Sequence, residues 1–292
     1  MQVVEILDNI LEQFAPKQEH LQYTPQIRKT LSACLSVCRK VRHLAAERLF
    51  LTLHVKCSFD PHCLDTLLQI IEPPSLEWMS IRPFVRNFIL SIGSSIPSVG
   101  SSTVVQSFLS DRCVPLFHSL AVSGGRYGSR ITHFEFRAPP PDTPLFNPAF
   151  EDAVLRFMKL PTLRSLEIQG RFLTRDFLVG THIRDVGISG HGIDLNHVSN
   201  DLYTEDVGAD VVASAEDGLP DYPRLRRFRT DLIWPPGIPD RAVDFIFREL
   251  SCLRLEINIS HVFTKAEDLI KRTFATLTTL VITYNFDGGS II

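Results

Sequence analysis

The sequence predicts an α/β fold: a small N-terminal helical head, then an irregular solenoid in which parallel strands alternate with outer helices. Three observations predict it. Apolar residues recur every three or four positions up to residue 50, the period changes to strict alternation at Leu51, and a short apolar motif then returns repeatedly along the chain. The expected division is 1–50 for the head and 51–292 for the body.

The head opens with a helix over Val4–Phe14. Ile6, Leu7, Ile10, Leu11 and Phe14 form a broad apolar stripe, while Glu5, Asp8 and Glu12 lie off it, near the end where the helix dipole favours carboxylates. A polar loop follows, and Thr24-Pro25 supplies an N-cap and a first-turn proline. Residues 31–50 then place Leu31, Cys34, Leu35, Cys38, Val41, Ala45 and Leu49 on one stripe, either of one helix or of two short ones joined by a bend. Ser32, Ser36, Arg39, Lys40, Arg42 and His43 form the solvated side. A head this small buries little core, so it is expected to lean on the strands that follow, on a partner, or on both.

The totals describe a core-forming globular chain. Its 292 residues are 44% hydrophobic and 22% charged, with net charge −3. A pI near 6.4 gives no basic footprint for nucleic acid or an anionic membrane. No apolar run approaches a membrane span, and the acidic start of the chain is unlike a secretory signal. The six cysteines are scattered, as expected of reduced thiols in a cytoplasmic or nuclear protein. Asn258-Ile259-Ser260 matches a glycosylation sequon, which has no meaning without a secretory route.

EILDNILEQF and, after a loop, LSACLSVCRKVRHLAAERLF resemble an F-box of the type common in fungal proteins. Glu5, Ile6 and Leu7 match the family's first motif. Leu31, Cys34, Leu35, Val37, Cys38, Arg39, Ala45, Leu49 and Phe50 match its second. Gln2-Val3 stands where the family has Leu-Pro, and Val41 where it has Trp. The resemblance implies a head that docks to a Skp-type adaptor, and through it to a cullin ubiquitin ligase, with Ile6, Leu7, Ile10, Leu31, Leu35, Cys38 and Val41 as core or contact. It implies a substrate receptor, not an enzyme, whose body presents a target protein.

In the body, apolar residues recur at i, i+3 and i+5, often with Arg at i+1. The motif starts at Val85, Ile131, Leu163, Ile183, Leu225, Leu250 and Leu277. This is the L-x-x-L-x-L core of a leucine-rich repeat, but only some steps have the usual length of about 20–29 residues, and the asparagine or cysteine ladder is missing. An ordinary α/β layer with chance motifs is the alternative. Helical patterns at Leu64–Ile71, Val104–Leu109, Phe150–Leu160, Ala242–Leu250 and Ala266–Phe274 imply right-handed crossovers between parallel strands. Segments 91–102, 138–148, 189–221 and 234–239 read as loops. NFDGGSII follows the last motif without a polar capping repeat, so an exposed or partner-covered final edge is expected.

No constellation argues for catalysis. His54, Cys57, His62 and Cys63 match no zinc spacing, and Cys34 and Cys38 fit small core residues better than ligands. His191, Asp194 and His197 are the best metal candidate in the chain but fit a solvated polar loop better, and the acidic run from Asp201 to Asp221 lacks calcium-ligand spacing. Gly124–Ser129 lacks the ending of a phosphate loop and reads as a turn. No cofactor is expected. If the strands form a curved sheet, their exposed positions line its concave face. His133, Glu135, Ser165, Glu167, Asp185, Arg227, Arg229, Arg254 and Glu256 then form a target-binding surface, acidic in the earlier strands and more basic later. The second functional reading is a non-catalytic interaction scaffold whose F-box does not recruit a ligase; Gln2-Val3 and Val41 favour it.

Overall fold

A computed structural model of the chain describes residues 2–15, 23–57, 61–73, 80–92, 109–122, 128–137, 147–170, 177–189, 221–230, 240–257 and 263–284. The chain divides into two compact units, the first comprising 1–135 and 146–163, the second 136–145 and 164–292.

The first unit begins with α1 (Gln2–Phe14), α2 (Pro25–Cys34) and α3 (Arg39–Leu49). Thr24 caps α2 as its sequence predicts: its hydroxyl accepts from the Ile27 N–H, and Pro25 occupies the first turn. The stripe over 31–50 is two helices. Leu35–Val37 turn, Cys38 is the extended N-cap of α3, and the helical phase restarts at Arg39. Leu11, Ala15, Leu31, Leu44 and Ala45 form the head's buried core, with Leu7, Tyr23, Ile27, Cys34, Leu35 and Leu49 packed around it.

After the head come β1 (Thr52–Cys57), α4 (Pro61–Ile71), a short 3₁₀ turn, β2 (Asn87–Ile92), a π turn running into α5 (Val114–Ala121), β3 (His133–Arg137) and α6 (Pro148–Met158). β1 and β2 pair in parallel, Thr52 opposite Asn87 through Cys57 opposite Ile92. Parallel neighbours require a crossover, which α4 provides. α5 packs against α6. Between these helices and the strands lie Phe88, Phe117, Phe134, Phe150 and Phe157, all fully buried, their rings meeting edge to face except for the stacked Phe88–Phe134 pair. The head rests on this part of the unit through a His43–Phe84 ring contact at 5.0 Å.

The second unit carries β4 (Ser165–Gln169), β5 (Asp185–Ser189), β6 (Arg227–Thr230), α7 (Asp240–Ile246), β7 (Cys252–Ile257), α8 (Phe263–Thr273) and β8 (Thr279–Tyr284). The strands lie in chain order, each parallel to the next. The register aligns Leu166, Val186, Phe228, Leu253 and Leu280 in one row and Glu167, Gly187, Arg229, Arg254 and Val281 in the adjacent one. Adjacent residues of a strand face opposite sides, so the first row belongs to the core and the second to the open face.

All seven apolar motifs fall on strands. The first apolar residue of each precedes its strand by two positions, and Val85, Ile131, Leu163, Ile183, Leu225 and Leu250 are fully buried there. The residue after it does the stitching. The carbonyls of Arg86, Arg164, Arg184, Arg226 and Ser251 each accept hydrogen bonds from two consecutive N–H groups at the same place in the next motif, at 2.7–3.2 Å. Of the expected helices, those at 64–71, 150–160, 242–250 and 266–274 are present with shifted ends, and 104–108 lies outside the described residues. The sequence reading missed α5, because VPLFHSLA is apolar nearly all round and has no polar face to mark a period.

Candidate functional site

The head presents one candidate surface. Arg48 fixes its geometry from within. The side chain is fully buried, its Nε donating to the Ala15 carbonyl at 2.8 Å and its Nη1 to that of Leu44 at 3.1 Å. Its Nη2 reaches Asp8 Oδ1 at 2.9 Å and Glu12 Oε2 at 3.0 Å. One guanidinium thus ties α3 to the polar flank and the end of α1, where a fork of donors matches carboxylates and orphan carbonyls alike. Burial raises the pKa of Tyr23 beside this cluster, an effect the Arg48 charge partly offsets.

With α1 held in this rotation, its broad stripe is split. Leu11 turns into the core and Leu7 lies against it, whereas Ile6 and Ile10 are each 57% exposed, one turn apart. Val37 is 67% exposed in the turn before α3. Next to it Leu35, Ser36, Cys38, Arg39 and Arg42 line an open groove of about 420 Å³. Among the residues expected at an adaptor contact, Leu31 is therefore core, Leu7, Leu35 and Val41 are half-buried, and Ile6, Ile10 and Cys38 face outward. Cys38 corrects the expectation of a buried small residue: the break between α2 and α3 takes it out of the helical phase.

The second candidate surface is the open face of β4–β8. Arg227 is largely exposed and lies 3.9 Å from Asp185, the far limit of an ion pair. Arg229 and Arg254 both reach Glu256 Oε1, at 2.9 and 3.5 Å, so two cations share one carboxylate oxygen. Glu167 is half-buried and, within its unit, pairs with no cation among the described residues. Gly187, its register neighbour, has no side chain, and a Cβ there would come within 3.2 Å of the Glu167 Cγ. On the helix side, just past the end of α7, the hydrogen bond and charge of Arg224 lower the pKa of Glu249. In the first unit His133 is half-buried and Glu135 is buried.

His54 is exposed, as its alternation predicts, and bonds with Ser91 Oγ at 3.0 Å. The side chains of Cys57, His62 and Cys63, the residues His191, Asp194 and His197, the acidic run from Asp201 to Asp217 and Gly124–Tyr127 all lie outside the described residues, and Asp221, the last member of that run, is exposed. Sequence reasoning missed Arg48 and Gly187. A mid-helix arginine and a single glycine in a strand carry no periodic signal. Among the described residues no helix is long and apolar enough to cross a membrane.

Comparison of the chain with protein-family models, with curated proteins and with solved structures finds no match in any of the three.

Proposed function

We propose that the chain is the substrate receptor of a Skp–cullin–F-box ubiquitin ligase. The helical head docks to the Skp-type adaptor, and the leucine-rich-repeat-like body binds a target protein for ubiquitin transfer by a partnered enzyme. The observation that carries this reading is the outward pair Ile6 and Ile10, with Val37, on a head whose own core is already filled. Large apolar side chains left on a small, internally fixed helical unit are the anchors of a helix-surface interface. The F-box resemblance covers the same segments, and the repeated carbonyl stitching of the body fits a stack of like units. In this reading the head's work is positioning.

The test is a pulldown of the full chain with a purified Skp-type adaptor, followed by titration calorimetry. Ile10→Asp is the informative variant, because Ile10 is exposed and its loss leaves the head's core intact. Saturable binding that weakens by about thirtyfold or more, at unchanged circular dichroism, is expected of an anchor residue. Wild type that is folded and does not bind the adaptor overturns the ligase role and leaves the interaction scaffold, the reading favoured by Gln2-Val3 and Val41.

A further inference from the structure

We propose that the open face of β4–β8 recognises an extended segment of the target that inserts a lysine or arginine at Gly187 and sets an acidic side chain, two residues away, against Arg229 and Arg254. The proposal rests on the reading of this face as the target-binding surface and is independent of the adaptor.

Gly187 sits in mid-strand, where glycine weakens a sheet and commonly marks the close approach of another chain. Its backbone gives no local reason for glycine, since the positive-φ glycines are Gly170 and Gly180. What the missing side chain supplies is space. The notch is bounded by Glu167 on β4 and lies two residues from Asp185 on its own strand. Among the described residues of the unit no cation pairs with Glu167, and Asp185 has an arginine at 3.9 Å. An incoming cation therefore meets one carboxylate that no arginine or lysine of its unit pairs with among the described residues and one that is loosely compensated, both half-buried and less screened than in open water.

One and two strands further on the balance reverses. Arg229 and Arg254 divide a single oxygen of Glu256, so positive charge is in excess there. Neighbouring strands are about 4.8 Å apart, so Arg229 and Arg254 stand roughly 5 and 10 Å from the notch along the row. Same-face side chains of an extended chain are about 6.6 Å apart, which puts the residue two along between the two arginines. The face thus complements a basic-x-acidic segment lying across the strands.

The full chain is panned against a random peptide library, and the selected peptides are titrated by fluorescence anisotropy. The selected peptides are expected to carry Lys or Arg two residues from Asp or Glu. Gly187→Val and Glu167→Gln should each weaken them about tenfold or more. Arg254→Glu should also weaken them and be rescued by peptides whose acid is replaced with Lys. Val suits a strand, and the thermal midpoints of Gly187→Val and Glu167→Gln, measured alongside, separate a filled notch from a lost fold. An empty pool, a pool without basic residues, or affinity unchanged in Gly187→Val overturns the proposal. Adaptor binding measured on the same samples keeps the two readings apart: a chain that binds adaptor but selects no such peptide fails only here.

Discussion

Arg48 keeps its charge in a fully buried position by pairing it widely, with three carbonyls and two carboxylates inside hydrogen-bond reach. Removing one partner of a buried ionic cluster costs about 3–5 kcal/mol when the other is stranded. Here Asp8 and Glu12 are partly exposed and can return to water, whereas the Ala15 carbonyl loses a charged donor. Arg48→Met is accordingly expected to destabilise the head by about 2–4 kcal/mol, mostly through the abandoned carbonyls. Native-state hydrogen exchange of the α1 amides should accelerate, and exchange unchanged from wild type would show that α1 is held by its apolar contacts alone. The same residue explains the split of α1: with the polar flank of α1 pinned to Arg48, only one of its two apolar columns can face inward.

Among the elements, β8 is the least protected. It pairs with β7 and ends the strand order, and its sequence TLVITY has no charge, proline or bulge of the kind that guards natural edges. Leu280 and Ile282 are 44% and 36% exposed although they continue the core rows, and Val281 is 40% exposed on the other side. β1, by contrast, carries exposed His54 and Lys56. A guard charge on β8 should therefore raise the concentration at which the chain self-associates. Val281→Glu is the natural choice, because Val281 lies opposite Arg254 and opposite charges there contribute about 0.2–1 kcal/mol. Light scattering against concentration checks it; an onset no higher than that of wild type would place the association elsewhere.

At the scale of the whole molecule, the first unit owes its interior to aromatic packing. Phe117 meets Phe88, Phe134, Phe150 and Phe157 at centroid distances of 5.2–5.8 Å, so it joins β2 and β3 to α5 and α6 at one point. Phe117→Ala should cost about 3–5 kcal/mol, the upper range for a cavity that rings cannot collapse into. Chemical unfolding followed by tryptophan-independent far-UV circular dichroism reads it, and a loss under about 1 kcal/mol would mean the surrounding rings repack. The second unit holds Phe228 of β6 against Phe247, just past the end of α7, with ring centroids 5.1 Å apart.

The sequence by itself determined the α/β class, the place of every strand in the body and the cap of α2. Each of these is written within a few adjacent residues: an apolar motif six residues long, Thr24-Pro25. The tertiary structure alone decided which of two apolar columns of α1 is core, that Cys38 faces out, that Arg48 is buried, and that Gly187 lies beside Glu167 and in one row with Arg229 and Arg254. The reason is the range of the interaction. Periodicity reports what a segment is able to bury, and a cap satisfies its own backbone. What a face buries, and which charges share a partner, is set by register with residues tens of positions away, where no local pattern reaches.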